Sequence, residues 1–253
     1  MNHFYSTIFV LLFLLLQIPC LAQQYDDLFS KVKHELFVGG GIHTGGFQIK
    51  LAYGNVVNEK RTINIPVEFV ELLSLKEYQQ TYDGLSITGG APKSFIYGKQ
   101  NNFYCLNVAY TEKYYLSAKS ESQLSMAIKY GAGLALGMLR PYYLDLIYRD
   151  NFGRATIIAE RYNEDNQFKF LNPQEVDGPS GASYGWEELS FKPGLLLQLG
   201  VVLDWGATHN ILKDAEIGVA TNIFFEEIPI MIFEENTPIF INLFLNIHLG
   251  HRW

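Results

Sequence analysis

The feature that most constrains this chain is a period-two alternation of apolar residues that recurs eight times. Alternation of this kind puts successive side chains on opposite faces of a β-strand. It is clearest near the C-terminus, where Ile239, Ile241, Leu243, Leu245, Ile247 and Leu249 form one series and Phe240, Asn242, Phe244, Asn246, His248 and Gly250 the other. The pattern recurs from Ala215 to Phe225, from Leu195 to Trp205 and from Leu124 to Met138. Shorter runs follow upstream at Tyr104 to Tyr110, Ile63 to Phe69 and Phe47 to Tyr53, with a weaker one at Leu36 to Ile42. None of these eight apolar series contains Asp, Glu, Lys or Arg, although 18% of the chain is charged. A Lys or Arg near a bilayer midplane costs roughly 2–4 kcal/mol, so a lipid-facing wall accounts for the exclusion.

The N-terminus is apolar from Ile8 to Leu16 and passes through Pro19 to Cys20-Leu21-Ala22, the pattern of a secretory signal peptide cleaved before Gln23. Pro19 stands where a lipobox needs a small residue, so Cys20 is removed rather than lipidated, and the mature chain keeps Cys105 as its only thiol. No internal disulfide is expected. Beyond the signal no run of eighteen apolar residues occurs, so any crossing of a bilayer has to be made by strands. The expected organisation is a signal peptide at 1–22, a short periplasmic segment at 23–34 and a barrel at 35–253. The net charge of −7, without a Lys/Arg run, argues against nucleic acid as a partner.

A soluble β-sandwich also has one apolar face per strand, so connection lengths have to separate it from a barrel. With the N-terminus in the periplasm, the outer loops fall at 43–46, 71–101, 139–192 and 226–238, and the inner turns near 54–61, 111–123 and 206–213. Long outer loops and short periplasmic turns are the asymmetry of an outer-membrane barrel. Aromatic residues prefer the two membrane–water interfaces. The inward-running strands end in Tyr53, Tyr110, Trp205 and Trp253, while Phe47, Phe69, Tyr104 and Phe225 form an upper level. The fold class expected is therefore all-β: an antiparallel up-and-down transmembrane β-barrel of eight strands. Ten strands is the alternative, should a hairpin from 142–148 and 155–159 enter the bilayer.

The ending Asn242-Leu243-Phe244-Leu245-Asn246-Ile247-His248-Leu249-Gly250-His251-Arg252-Trp253, alternating and closed by an aromatic residue, resembles the assembly signal of outer-membrane barrels. Together with Leu21-Ala22-Gln23, Tyr97-Gly98-Lys99-Gln100-Asn101-Asn102 and Arg140-Pro141-Tyr142-Tyr143-Leu144, it resembles the small outer-membrane β-barrel proteins of Bacteroidota, loosely the PorT-like proteins. The resemblance implies outer-membrane lipid and the barrel-assembly machinery as partners. It implies no catalytic residue.

An eight-stranded barrel has an interior just wide enough to be filled by side chains. The inward series contains Gln48, Lys50, Asn64, Glu68, Lys129, Gln198, Asp204, Glu216, Asn222, Asn242, Asn246, His248 and Arg252, which reads as a paired polar network. A proton or solute path is the alternative. Gly131, Gly133 and Gly137 read as space for large residues opposite or relief of strand curvature, and Gly39-Gly40-Gly41 is weakly supported as a phosphate cradle, since a strand rather than a helix N-terminus follows it. His209, His248 and His251 with Asp204 and Asp214 form a conceivable acid–base or metal cluster near the periplasmic end, without ligand spacing to support it. No cofactor fingerprint, His-Glu-x-x-His or Gly-x-Ser-x-Gly is present. The acidic, Gly-rich run 163–185 is a candidate cap or partner surface. The leading expectation is a non-enzymatic interaction or envelope-assembly component that meets another envelope protein. Solute binding in the lumen comes second, and a hydrolase or acyltransferase third.

Overall fold

The computed structural model describes residues 32–74, 76–81, 93–116, 124–205, 210–233 and 236–253. The signal peptide with Cys20, all of 23–34 before Val32, and His209 lie outside the described residues. In chain order the strands are β1 His34–His43, β2 Gly46–Asn58, β3 Arg61–Leu72, β4 Gln79–Thr81, β5 Ser94–Ile96, β6 Asn101–Tyr115 and β7 Ser125–Pro141. They continue with β8 Tyr143–Arg149, β9 Ala155–Arg161, β10 Val176–Pro179, β11 Ser190–Asp204, β12 Ile211–Ile228 and β13 Thr237–Arg252. A one-turn helix, α1 Gln167–Phe170, lies between β9 and β10.

Eight of these strands close a barrel in the order β1-β13-β12-β11-β7-β6-β3-β2, every neighbour antiparallel. The ring is sealed where β1 meets β13, with Glu35 opposite Arg252 and Gly41 opposite Asn246. Partners can be followed from Glu35 through Gly54, Asn64, Thr111, Gly131, Gln198 and Ala220 to Asn242. Carried on, this register returns to β1 at Gly45, ten positions above its start. That stagger tilts the strands by roughly 40° and links their number to the bore.

The alternation sets the faces. Along β13 Asn242, Phe244, Asn246 and His248 are buried and Ile241, Leu243, Leu245, Ile247 and Leu249 are exposed; β7 and β11 follow the same rule. A continuous belt of exposed Leu, Ile and Val thus surrounds the barrel. A belt of this extent is stable against hydrocarbon and not against water.

The ten-stranded alternative is corrected by the topology. The hairpin β8–β9 forms, but it pairs with β10 in a separate three-stranded sheet and not with the ring. Its residues explain why: Asp145 and Arg149 in β8, and Glu160 and Arg161 in β9, leave neither strand a charge-free series as long as those of the wall. Leu144 and Leu146 are instead buried with Phe95, Phe170 and Val176 in a small core above the barrel. The wall strands also run further than their apolar series, β6 down to Tyr115 and β12 up to Ile228.

Candidate functional site

The described lumen has two parts. In the lower half, at the end where β1 begins and β13 ends, side chains from opposite walls meet as ion pairs. Arg252 donates from Nη2 to Asp204 Oδ2 at 2.6 Å and from Nε to Glu35 Oε2 at 3.1 Å. Glu35 Oε1 also accepts from Lys113 Nζ at 2.9 Å and Asn64 Nδ2 at 2.5 Å. Lys113 lies 3.6 Å from Asp214, whose other oxygen is 2.5 Å from His248 Nδ1. Glu216 then collects Lys129 through both oxygens at 2.9 Å and Lys50 at 3.2 Å, with His248 Nε2 3.7 Å away. Lys50 reaches Glu68 at 3.0 Å, and Glu68 accepts from Gln198 Nε2 at 2.7 Å. All these groups are buried.

Removing a charge from water costs several kcal/mol, and only close, hydrogen-bonded counter-charges offset it. Five carboxylates, four Lys or Arg side chains and one imidazole interlock here, so every charge of the network has a counter-charge beside it, while Arg252 Nη1 and His248 Nε2 have no hydrogen-bond partner among the described residues. The inward series read from the sequence is placed on this wall. Asn242 sits at its upper rim, accepting from Thr44, and Asn246 accepts from Gln48 at 2.7 Å.

The alternation did not point to Glu35 and Lys113, two centres of the network. Glu35 precedes the first apolar series, and Lys113 follows Glu112, which interrupts the outward series of β6. Glu112 is accommodated on the outer wall because Arg61 of β3 reaches it at 2.6 Å and the hydroxyls of Tyr110 and Tyr130 donate to it at 3.0 and 2.8 Å. Only the strand register reveals that arrangement.

Nearer the opposite, upper end, which carries the long connections, the filling becomes apolar. Asn107 accepts from Asn222 at 3.0 Å and from Cys105 Sγ at 3.0 Å, and above them Val70, Leu72, Phe103, Leu139, Phe224 and Ile228 pack as one cluster. Phe103 meets the rings of Phe224 and Phe240 at 5.0 and 5.4 Å. Ile230 and Met231, from the segment after β12, close this plug from above. Cys105 is a packed thiol within it.

Two features that the sequence supports only weakly as sites are placed by the structure. The Gly39 and Gly41 positions face neighbours rather than a ligand: a Cβ there would lie 2.1 Å from His248 and 2.0 Å from Asn246. They are small because β13 fills the space with its own side chains, so no phosphate cradle exists. The described members of the histidine cluster, His248 and His251, do not come together either. His248 points inward to Asp214, whereas His251 is exposed and stacks on Trp253 at 5.9 Å. Asp204 belongs to Arg252. Among the described residues no three His, Cys, Asp or Glu side chains are arranged to hold a metal ion.

The aromatic positions divide by side-chain environment. Tyr53 and Trp253 flank His34 at the lower rim, with ring centroids at 5.8 and 6.0 Å, and Trp205 is exposed at the end of β11. Tyr110 instead turns its hydroxyl to Glu112. Phe69 stacks with Tyr104 at 5.7 Å, while Phe47 and Phe225 are exposed.

Above the wall, β8–β10, α1 and the β4–β5 hairpin form an ordered cap. Loops from two connections, β5–β6 and β12–β13, are tied together across the mouth: Gln100 N donates to Ile230 O at 2.8 Å, Ile232 N to Gly98 O at 2.8 Å, and Asn101 Nδ2 to Pro229 O at 2.7 Å. Lys99 is buried in the seam, paired with Glu77 at 2.8 Å. Two aromatic side chains project from the cap into solvent, Phe152 at the β8–β9 turn (87% exposed) and Phe168 on α1 (91%).

No protein-family model matches the chain, and no curated protein matches it. Among solved structures it is similar to a major outer membrane protein from Thermus thermophilus, at 13% identity, 88% coverage of this chain, 100% of that chain and a TM-score of 0.48. It is also similar to the N-terminal β-barrel domain of Pseudomonas aeruginosa OprF, at 8% identity, 88% and 100% coverage and a TM-score of 0.40. Neisserial surface protein A (NspA) matches at 10% identity, 88% and 97% coverage and a TM-score of 0.39.

Proposed function

We propose that this protein is an exported, non-enzymatic resident of a Gram-negative outer membrane, whose sealed barrel holds the cap outside the cell to engage another envelope protein. The observation that carries this reading is the division of labour between lumen and cap. The lumen is filled by ion pairs below and an aromatic plug above, so the wall serves as an anchor. The cap has its own core and presents Phe152 and Phe168, and aromatic side chains, Phe included, are enriched at protein interfaces relative to the rest of the surface. The signal-like N-terminus, the alternating C-terminal strand offered to the assembly machinery and the shared segments support placing the chain among the small barrels of Bacteroidota.

The test is site-specific photo-crosslinking from position 152 in cells at native abundance. Capture of a defined envelope protein, lost when Phe152 and Phe168 are both replaced by Ser, is the expected result; capture of nothing but lipid would overturn the interaction reading. The location has a separate check. The folded protein should fractionate with outer membranes and migrate differently on SDS gels before and after heating.

A further inference from the structure

At the extracellular rim Asn102 of β6 and Arg140 of β7 are direct cross-strand partners in the outward series, one step beyond Tyr104 and Met138. The Arg140 guanidinium carbon lies 4.8 Å from the ring centre of Trp186 and 5.7 Å from that of Tyr104, and the two rings stack at 6.1 Å. Ala182 O fixes the arrangement by accepting from Trp186 Nε1 at 2.7 Å and Arg140 Nη1 at 3.1 Å. Gly185 permits the approach: its φ of 83° is left-handed, and a Cβ would lie 2.7 Å from Pro141 O.

These contacts leave a pocket of about 300 Å³ beside Arg140, lined also by Asn102, Tyr142, Tyr143 and Tyr184. Tyr143 and Tyr184 form one wall, their rings 5.5 Å apart. Two donors at the edge of this pocket, Arg140 Nε and Asn102 Nδ2, are enclosed and have no hydrogen-bond partner among the described residues, so a ligand reaches them when these partly exposed side chains turn toward it. A buried donor left unpaired costs roughly 1–3 kcal/mol, which a ligand bringing acceptor oxygens would recover. Tyrosine faces beside a planar Arg fork and an amide suit a sugar ring, whose C–H face packs on the aromatics while its hydroxyl oxygens accept from the donors. The local charge does not favour a phosphate. Glu71, across β3–β6 from Tyr104, acts electrostatically on Arg140, and Glu188 is held by Tyr143 and by Arg161.

We propose that this pocket binds a neutral saccharide unit, presented by an outer-leaflet glycolipid or by a free glycan. The inference rests on the outward placement of the cap proposed above, but binding is measurable whatever the location. The chain has three tryptophans, so Trp205→Phe with Trp253→Phe leaves Trp186, stacked on Arg140 beside the pocket, as the sole tryptophan reporter. The barrel in phosphatidylcholine nanodiscs, its folding verified by the heat-dependent gel shift, is titrated with intact host lipopolysaccharide, with its deacylated oligosaccharide and with inorganic phosphate.

Saturable change in Trp186 emission with either saccharide is expected, weakened about tenfold or more by Asn102→Ala and by Arg140→Lys, which keeps the charge but loses the fork. Equal response to both forms assigns a free-glycan source, and response to the intact form alone a glycolipid. No response to either, a response to phosphate alone, or unchanged affinity in both variants of a folded barrel would overturn the site. None of those results bears on whether Phe152 contacts a partner.

Discussion

The lower half of the lumen and its upper half occupy one bore, yet the first is filled by Glu35, Lys113, Asp214, Glu216 and Lys129 and the second by Phe103, Phe224 and Phe240. The two fillings fail differently. An apolar plug loses area and packing when one member is trimmed, and neighbours relax partly into the space. A charged network loses compensation, because removal of one partner leaves the other desolvated and unpaired. The lower half is therefore the more brittle, and its stability resides in closure rather than in any single pair.

The largest effect expected from this contrast is that of Glu216→Ala, which strips Lys129 of both its hydrogen bonds and Lys50 of one. Destabilisation of about 3–5 kcal/mol follows for a buried pair broken on one side. Urea unfolding in lipid vesicles, followed by the gel shift, should show a lower midpoint or failure to assemble. The double variant Glu216→Ala with Lys129→Met should recover much of that loss. A single variant as stable as the parent would show that the network is not closed.

Phe103→Ala addresses the upper half. Loss of contact with two aromatic rings costs about 3–4 kcal/mol, in the range for large core truncations. The comparison sharpens in planar bilayers, where this variant should stay non-conducting because the ion pairs beneath still fill the bore. A stable open conductance would mean that the plug alone seals the barrel.

How much of each half could be read from the sequence follows from the same contrast. The eight wall strands were legible because lipid excludes charge from an outward series as long as Leu124 to Met138, and the phase also assigned Lys50, Glu68, Glu216 and Arg252 to the interior. Pairing was not legible. Lys113 meets Glu35 across 78 residues of sequence, a contact created only by the stagger of the closed ring. The plug draws Ile228 from the end of β12, beyond its apolar series, and Ile230 and Met231 from an irregular segment, and β10 is a four-residue strand containing Gly178 and Pro179. Neither has a periodicity to detect. The saccharide pocket was foreshadowed only by the Arg140-Pro141-Tyr142-Tyr143 run, since its other wall comes from residues near 184.

Gly137→Ala is a smaller perturbation where β7 touches the plug. A Cβ there would stand 2.7 Å from Cε2 and 2.8 Å from Cζ of Phe103, and 2.9 Å from Phe224. Ring tilting relieves part of the clash, so overpacking should cost about 1–3 kcal/mol. The urea midpoint should fall less than for Phe103→Ala. The double variant Gly137→Ala with Phe103→Leu should recover part of the loss; if it does not, the glycine serves strand curvature rather than the plug.

Arg149→Ala marks the other end of the scale. Arg149 pairs with Glu175 at 3.4 Å on the cap, with side chains 49% and 27% exposed. Water already solvates both groups there, salt screens their attraction, and holding two long side chains in place costs entropy, so the change should stay within about 0.5 kcal/mol. The urea midpoint at low and at high salt checks this. An effect rivalling that of Glu216→Ala would mean that the cap, and not the lumen, limits the stability of the assembled protein. Equivalence with the parent would leave closure of the buried network as the property that separates an ion pair that matters from one that does not.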